Sequence, residues 1–568
     1  MTNDAGSGWY GSDLLVDRLS GLGFEYLALN PGASLRGLHD SLVMPPGRTP
    51  EMILGLFEGV AVAIAHGFVK AGGKPMVVGL HDTVGMLHGS MAVFNAFIDR
   101  APMVILVGTG PLDAAARRPW LDWIHVVGEQ GAQLRDFTVW NEQPTSIDAM
   151  LMAANRAARA ALTAPGGPAL ISLDIDLQEQ RVDAPSGPDP VRTPVARIAP
   201  DPALVRELIA DLRAASRPLI ITDRPLTAAG SRALVALAER TGAGLLELGG
   251  GASFPVGHPH DVSEHAKAAL AAADHLTFVE VRDPAWALGP VDLATRKVEG
   301  GQGDRKAASI GLAALMAKSW IVTEAPGPDR LEIIADAELG LEAVLDEWGS
   351  QRRALDPVYT ELAAKGGPAL PEATGDARGL FRPHVATALK EALGSRDWIL
   401  ANGPFGGWAR RILRFQRVDQ WLGHSGGAGL GYGPGASIGA ALALRGSGKI
   451  VIDLQADGDL MYTPQAMWTA AAHNIPLLQI VDGNRSYSKD EQHQRVVAKE
   501  RGRNLEHSSR GVVFDEPAID HAGLAKSLGV WSHGPVTDAA ELRSAFAKAI
   551  EVVAAGEPAV VEVRTSIK

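Results

Sequence analysis

The sequence contains no cysteine, and this absence excludes disulfide bonds, thiolate metal sites and cysteine nucleophiles together. It has no uninterrupted apolar run of about 18 residues that could cross a membrane as a helix. The first residues, MTNDAGSGWYGSD, lack the basic region and apolar stretch of a secretion signal. No long basic run interrupts a chain in which 65 Asp and Glu outnumber 53 Lys and Arg, so nucleic acid is not an expected partner. We therefore expect a cytoplasmic protein that binds neither a membrane nor a nucleic acid.

The composition that remains indicates an α/β protein. Short apolar runs such as YLALNPG, PMVVGL, PMVILVGTG and PALISLDID are typical of buried parallel strands that alternate with helices. A chain of 568 residues is too long for one core, since domains hold about 100–200 residues each. Two loose segments rich in proline or glycine, 183–202 and 366–376, divide it. We predict three doubly wound, mainly parallel-sheet domains, at 1–183, 203–360 and 377–568.

Polar residues follow two neighbouring apolar runs of the third predicted domain. KIVIDLQADGD predicts a strand that ends before Asp457 and Gly458, followed by a helix from Tyr462 to His473, and IPLLQIVDGN predicts a strand that ends at Asn484. Strand ends of this kind bind ligands in open α/β sheets, and the next helix N-terminus favours an anion. Carboxylate, amide and backbone oxygens suit Mg²⁺ or Ca²⁺, and Mg²⁺ usually keeps positions for phosphate, which predicts a phosphorylated cofactor. The alternative is that Asp457 and Asn484 are ordinary turn residues.

The segment from Asp457 to Tyr487, with YTPQAMWTAAAHNIPLL inside it, resembles the metal- and diphosphate-binding motif of thiamine diphosphate enzymes. The resemblance implies thiamine diphosphate and Mg²⁺ as cofactors. It implies that the metal ligands are Asp457, Asn484 and the backbone carbonyl of Ser486.

The motif departs from the family pattern at three positions. Ala456 replaces the usual glycine and Gly483 replaces the first asparagine, but neither position supplies a metal ligand. Asp459 stands where a small residue often contacts the diphosphate. Its carboxylate would repel the cofactor unless it were turned away, protonated or ion-paired.

Glu58 opens an apolar helix, Phe57 to Val69, in LFEGVAVAIAHGFVKAGGKP. An acid in a first helical turn can simply complement the helix dipole or cap the helix. The segment, however, resembles the pyrimidine-binding domain of the same family, in which such a glutamate hydrogen-bonds the cofactor's pyrimidine nitrogen N1′ and activates it. In that family the glutamate and the diphosphate site come from different subunits. The resemblance therefore implies at least a homodimer, and a homotetramer is common in the family.

The resemblance covers nearly all of the chain and is to the benzoylformate decarboxylase and acetolactate synthase-like group, with pyrimidine, central and diphosphate domains in that order. In GGAGLGYGPGASIGAAL it implies that Leu430 wedges beneath the cofactor and that the Ala428 carbonyl accepts from the aminopyrimidine. The alternative is a glycine-rich turn that packs on a helix. The remaining candidate cofactor contacts are Asn402, Gly403 and Phe405 in ILANGPFGGW, and Gly458, Asp459, Asn484, Ser486 and Tyr487.

On the substrate side, LALNPGASLRGLHD and VGLHDTVGMLHGS resemble two loops of benzoylformate decarboxylase-like enzymes. The second loop implies that His81 is catalytic, although a lone histidine is often structural. Ala33 replaces an expected serine, and RDPAWALGP offers no counterpart to a second histidine of the central domain. Further pocket candidates are Asp82, His88 and His424, and the charged segment that contains His493 and His507 is either a lid or a solvated surface helix.

These residues together predict a lyase or carboligase that acts on a 2-oxo acid, an aldehyde or an acyloin. The decarboxylated substrate either takes a proton and leaves as an aldehyde or joins a second carbonyl compound. Alternatives are an acetolactate synthase-like transferase, a 2-hydroxyacyl-CoA lyase and a non-catalytic paralogue that binds the cofactor. Glu58 argues against the last, because a protein without turnover has no need of the activating acid.

Overall fold

A computed structural model describes residues 8–113, 115–119, 123–183, 196–293, 295–296, 303–319, 330–403 and 405–566. The chain divides into two compact units. The first comprises Met1–Val195, Thr374–Gly403 and Ser425–Lys568, and the second comprises Ala196–Ala373 and Pro404–His424. The segment Pro404–His424, which the predicted boundaries assign to the third domain, thus belongs to the second unit. The three domain boundaries themselves stay a prediction.

The first unit begins with a six-stranded parallel sheet whose strand order is β3-β2-β4-β5-β7-β6. The strands in this region are β1 (Trp9–Tyr10), β2 (Tyr26–Leu29), β3 (Glu51–Leu54), β4 (Met76–Leu80), β5 (Met103–Thr109), β6 (Trp140–Glu142), β7 (Pro168–Asp174) and β8 (Arg181–Val182), with β1 antiparallel to β8. The helices are α1 (Gly11–Gly21), α2 (Arg36–Val43), α3 (Glu58–Gly72), α4 (Asp82–Ile98), α5 (Ile147–Leu162) and α6 (Ile175–Glu179). The runs MVVGL and MVILVGT are buried throughout, as expected for central parallel strands.

The second unit contains a five-stranded parallel sheet of order β10-β9-β11-β12-β13. Its strands are β9 (Pro218–Thr222), β10 (Gly244–Glu247), β11 (His275–Val279), β12 (Lys306–Gly311) and β13 (Arg330–Ile334). Its first helices are α7 (Pro202–Ala214), α8 (Ala228–Thr241), α9 (Ala266–Ala272), α10 (Ala337–Trp348) and α11 (Pro357–Lys365). Leucines of α7 and α8 pack with the strands in one buried cluster.

The first unit also holds a seven-stranded sheet of order β14-β15-β20-β18-β17-β16, in which β19 pairs with β20. Only β14 is antiparallel to its neighbour. The strands are β14 (Gly375–Asp376), β15 (Gly379–Phe381), β16 (Trp398–Asn402), β17 (Ile450–Ala456), β18 (Leu478–Gly483), β19 (Trp531–Val536) and β20 (Ala559–Ser566). The helices in this part of the chain are α12 (Arg382–Leu393), α13 (Trp408–Leu413), which belongs to the second unit, α14 (Tyr432–Ala443), α15 (Asp457–Leu460), α16 (Ala466–Ala472), α17 (Ser488–Glu500), α18 (His521–Ser527) and α19 (Ala539–Ala554).

These sheets confirm the predicted α/β architecture with three mainly parallel sheets. One predicted helix is wrong in its bounds. Instead of one helix from Tyr462 to His473, the short helix α15 ends at Leu460 and α16 starts at Ala466. Pro464 lies between them, and proline lacks the N–H that an uninterrupted helix would require.

Within the described ranges, no helix is long and apolar enough to cross a membrane. The cytoplasmic location stays a prediction.

Candidate active site

The candidate metal corner lies at the adjoining carboxyl ends of β17 and β18, which pair in parallel with Ala456 opposite Asp482. Asp457, Asn484 and Ser486 follow these two strand ends and are all buried. Asp457 Oδ2 accepts from the N–H of Arg485 at 2.5 Å, and its Oδ1 accepts from the N–H of Gly458 at 2.8 Å. Asn484 Oδ1 accepts from the N–H of Ser486 at 2.9 Å, so the turn interaction that the alternative predicts is present. The register of two strands thus brings together residues 27 positions apart.

The chemistry of this corner suits a hard divalent cation. Burial raises the pKa of Asp457 to about 6, against the opposing effect of its two backbone donors. A carboxylate that is only 1% exposed is costly to ionise without a nearby positive charge. The donors are all oxygens, which Mg²⁺ and Ca²⁺ prefer. Asp457, the amide of Asn484 and the carbonyl of Ser486 could therefore hold such an ion.

Asp459 is turned away from this corner. Its Oδ1 accepts from the N–H of Gly431 at 2.6 Å, and its Oδ2 accepts from Nε2 of Gln455 at 2.7 Å. The hydroxyl of Thr463 donates to the carbonyl of Gly431 at 2.9 Å, which fixes the other side of the same residue. Burial raises the pKa of Asp459, and the two donors oppose that rise. The carboxylate therefore binds the loop that ends at Gly431.

A chain of buried polar side chains continues behind Gln455. Asn402 donates from Nδ2 to Oε1 of Gln455 at 3.1 Å and to Oδ1 of Asp453 at 3.0 Å. Asp453 Oδ2 accepts from Nε2 of Gln479 at 2.8 Å, and burial raises the pKa of Asp453 to about 7. The amide nitrogen of Asn402 is therefore engaged inside the protein. Gly403 follows at φ +80°, and a Cβ there would lie 1.8 Å from the carbonyl oxygen of Leu454.

The loop 425–431 carries two of the predicted cofactor contacts. Ala428 adopts a positive φ of 52°, and Gly429 makes two hydrogen bonds with Asn95 of α4, at 3.2 Å and 3.1 Å. Gly426 donates from its N–H to Asp99 at 3.0 Å. Leu430 remains 46% exposed although its neighbours are tied down. Hydrogen bonds thus hold the backbone of the loop, whereas the side chain of Leu430 is only partly packed.

Glu58 lies at the start of α3 and is 6% exposed. Its Oε2 is 3.3 Å from Nδ1 of His88, and a Cβ at Gly85 would meet its Oε1 at 2.9 Å. No side-chain cap is formed at this helix start. The carboxylate is therefore directed toward α4, and the capping alternative does not describe it.

Helix α3 packs against α14 with almost no space between the two backbones. A Cβ at Gly67 would lie 1.8 Å from the carbonyl oxygen of Ala436, and one at Gly439 would lie 1.9 Å from that of Ile64. These glycines permit a contact that no other residue allows. The contact places the helix of Glu58 directly beside the helix that the loop 425–431 enters.

A second polar cluster lies at the carboxyl end of β4. His81 Nδ1 is 2.9 Å from the hydroxyl of Ser34, and its Nε2 is 3.2 Å from Oδ2 of Asp82. Nδ1 of His125 lies 3.8 Å from the same Asp82 oxygen. Asp82 is fully buried, burial raises its pKa, and its φ is 36°.

Ser34 and His125 are not among the residues that the sequence predicts. The serine expected in the Asn-Pro-Gly loop is replaced by Ala33, but Ser34, one residue later, supplies a hydroxyl to His81. His125 was a lone histidine within WLDWIHVV, a segment without a recognisable motif. A register shift of one residue was the signal for Ser34, and His125 had none.

The remaining predicted residues are spread over both units. Ala33 starts a short 3₁₀ helix, and the ring of Tyr487 lies 5.2 Å from that of Phe514. Phe405 and His424 belong to the second unit, where Phe405 is buried and the ring of His424 lies 6.5 Å from that of Trp421. His493 on α17 and His507 in the turn after it are exposed, so the segment has the character of a surface helix, and its role as a lid stays a prediction.

Two ranges of the chain match families of known domains. The family described as "Thiamine pyrophosphate enzyme, N-terminal TPP binding domain" matches residues 10–133, and "Thiamine pyrophosphate enzyme, C-terminal TPP binding domain" matches residues 401–563. Together these ranges cover half of the chain. Both matched ranges are thus similar to domains named for binding thiamine pyrophosphate.

Two known enzymes are similar to most of this chain. Benzoylformate decarboxylase of Pseudomonas aeruginosa is 28% identical over 90% of this chain and 91% of its own length. Acetolactate synthase 1 of Zea mays is 24% identical over 95% of this chain and 83% of its own.

Solved structures share the fold. The thiamine diphosphate-dependent 4-hydroxybenzoylformate decarboxylase of Rhodococcus jostii RHA1 has a TM-score of 0.79 and 22% identity, over 99% of this chain and 100% of its own. Benzoylformate decarboxylase of Polynucleobacter necessarius has a TM-score of 0.78 and 21% identity, over 98% and 99%.

Proposed function

Because the chain belongs to the thiamine pyrophosphate enzymes, we propose that it is a Mg²⁺-dependent lyase that decarboxylates a 2-oxo acid, with joining of the product to an aldehyde as a second outcome. The observation that carries the proposal is the arrangement of Glu58. Its buried carboxylate caps no helix and lies on the helix that packs against α14. The carboxylate pairs with His88 at 3.3 Å and makes no capping bond, and buried acids of this kind are typical of active sites.

Three groups of residues would hold the cofactor. Asp457, Asn484 and the Ser486 carbonyl would bind Mg²⁺ and through it the diphosphate, which the buried oxygen donors of that corner favour. Leu430 would support the cofactor, and its 46% exposure leaves part of its side chain available for that contact. The carbonyl of Ala428, held by the bonds of Gly429 to Asn95, would accept from the aminopyrimidine.

When bound, thiamine diphosphate supplies a nucleophilic carbon and an acceptor for the electrons left when CO₂ departs. The chain's own residues perform the proton transfers. Glu58 would hold a proton on its carboxylate and share it with the pyrimidine nitrogen N1′, and the nearby imidazole of His88 gives that carboxylate a partner at 3.3 Å. His81, Asp82 and Ser34 would provide polar contacts on the substrate side of α4.

One relative is named for decarboxylating benzoylformate and another for forming acetolactate, so the acyl donor is best found by assay. Purified protein with thiamine diphosphate and Mg²⁺ should be given benzoylformate and pyruvate, with and without an added aldehyde, while CO₂, aldehyde and acyloin are measured. We expect CO₂ and aldehyde from an aromatic 2-oxo acid. Acetolactate from pyruvate would instead favour the transferase, and turnover of only a 2-hydroxyacyl-CoA would favour that lyase. Cofactor binding without any turnover would refute the proposal and leave a binding protein.

We also propose a homodimer as the smallest assembly and a homotetramer as the expected one. One face of α4 exposes Val84, Leu87 and Met91 to extents of 39, 55 and 41%, which is unusual for neighbouring large apolar side chains. A second copy that covers this face would remove that exposure. Light scattering after size-exclusion chromatography tests this, and a monomer at micromolar concentration would refute it.

A further inference from the structure

Four polar side chains of the first unit form one continuous row. The hydroxyl of Ser34 meets Nδ1 of His81 at 2.9 Å, Nε2 of His81 meets Oδ2 of Asp82 at 3.2 Å, and the same oxygen lies 3.8 Å from Nδ1 of His125. The two imidazole rings are 6.0 Å apart and nearly perpendicular. Asp82 thus stands between two histidines and is the only carboxylate in the row.

The two histidines differ in what they can offer a substrate. Both ring nitrogens of His81 face protein groups, Ser34 on one side and Asp82 on the other. His125 directs only Nδ1 toward Asp82, and among the residues that the structure describes none accepts from or donates to its Nε2. Its side chain is 37% exposed, against 18% for His81. The accessible end of the row is therefore His125.

The carboxylate in the middle of the row, Asp82, lies near Glu58. Asp82 is the first residue of α4, and Gly85, in the same helical turn, abuts Glu58. The charges that face Asp82 are those of His81, His125 and Glu58, and Glu58 has His88 as its own neighbour. Oδ2 of Asp82 is buried and, within the described part of the chain, completes no well-aligned hydrogen bond. That oxygen is suited to stabilise an imidazolium at either histidine.

Decarboxylation of a 2-oxo acid consumes one proton in each turnover, because the C–C bond to the carboxylate breaks and a C–H bond forms in its place. We infer that His125 supplies this proton from Nε2, with Asp82 as its charge partner and His81 as the positioning residue that holds Asp82. The neutral His125 then regains a proton from water. This inference rests on the proposed function and assigns the acid–base role to a residue other than His81.

The first test needs no activity. Diethyl pyrocarbonate modifies accessible imidazole nitrogens, and mass spectrometry of the digested protein gives the rate at each histidine. We expect His125 to react faster than His81, because its side chain is 37% exposed against 18% and its Nε2 has no partner among the described residues. Benzoylformate added together with thiamine diphosphate and Mg²⁺ should protect His125. Faster reaction of His81 would overturn the inference, and so would a lack of protection in an enzyme that turns benzoylformate over.

The second test is kinetic and uses the complete enzyme. His125→Ala should lower aldehyde release from benzoylformate by about 10²–10⁴-fold, the usual contribution of a positioned acid or base. Added imidazole should raise the rate of aldehyde release by the variant at least about tenfold. The rate at which the first CO₂ is released should change little. His125→Gln should show the same loss without altering the fold, as circular dichroism can verify. His533→Ala is the matched control, since His533 is also about 40% exposed and paired with a carboxylate, that of Glu541.

The outcomes separate two kinds of failure. Nearly full aldehyde release by His125→Ala, or imidazole rescue of His81→Ala but not of His125→Ala, would overturn the inference. If the unaltered enzyme turns over no 2-oxo acid, the proposed function fails. The order of chemical modification still decides in that case whether His125 is the accessible end of the row.

Discussion

Gly439→Ala is expected to separate the two helices on which the proposed cofactor site depends. The new Cβ would lie 1.9 Å from the carbonyl oxygen of Ile64 and 2.7 Å from the N–H nitrogen of Phe68, and both are backbone atoms that cannot rotate away. Ordinary contact begins at 3.4 Å, so α14 must move from α3 by roughly 1.5 Å. An overpacked contact of this kind costs about 1–3 kcal/mol of stability. The higher helix propensity of alanine offsets about 0.5–1 kcal/mol of that cost.

The same displacement should affect catalysis more than stability. Glu58 is carried by α3, and a shift of about 1 Å in a reacting group can lower a rate by roughly 10²-fold. We expect a fall of a few degrees in the melting temperature, measured by circular dichroism, and a roughly 10²-fold fall in the rate of CO₂ release. Gly72→Ala is the control, because it adds the same methyl at the end of α3, where the nearest atom is the Cβ of Ala443 at 3.3 Å. Unchanged melting and turnover in Gly439→Ala would refute the close contact or its role in placing Glu58.

Three further substitutions test separate parts of the site. Glu58→Gln should lower turnover by at least about 10²-fold and leave cofactor affinity nearly unchanged in a fluorescence titration, because the amide keeps the shape but cannot exchange the proton; retained activity would contradict the role of Glu58. Asp457→Ala should weaken Mg²⁺-dependent cofactor binding at least about tenfold in calorimetry, and equal affinity would place the metal elsewhere. Asp453→Asn should remove a pH-dependent loss of stability. The pKa of Asp453 in the folded protein is about 7, above the ordinary value of about 3.9. The protonated carboxyl therefore contributes its full stabilisation below about pH 4, and this stabilisation is lost as the pH rises to about 7. Between pH 5 and 8 the variant should gain on the unaltered protein by up to about 3 kcal/mol in the free energy of unfolding, and parallel pH profiles would show that Asp453 is not buried as described.

The sequence could predict features that depend on strand ends. Asp457 and Asn484 each follow an apolar run, and parallel strands place their carboxyl ends at one edge, so the corner could be expected before the structure was known. The single helix predicted from Tyr462 to His473 is wrong, and Pro464 marks the break between α15 and α16. The sequence also does not predict the contact between α3 and α14, because a glycine in a helix does not reveal which backbone it approaches.

On the substrate side, contacts between distant loops limit which site residues the sequence can predict. Ser34 and His81 are 47 positions apart, and the row from His81 to His125 depends on how a loop after β5 folds back over the start of α4. Neither segment has a periodicity that specifies this return. The sequence therefore identified the histidine that lies in a familiar loop. It could not identify His125, because the contact of that histidine with Asp82 depends on the tertiary fold.

Asp459 shows why a departure from a family pattern must be judged by its partners. A carboxylate beside a diphosphate would be repelled, and burial without donors would be costly as well. Both problems have one solution here, because the N–H of Gly431 and the amide of Gln455 satisfy its two oxygens and turn them toward the loop that carries Leu430. Gln455 in turn is held by Asn402, which is bound to Asp453. Asp459 thus connects the segment after β17 to the loop before α14. A displacement of one of these segments should therefore displace the other.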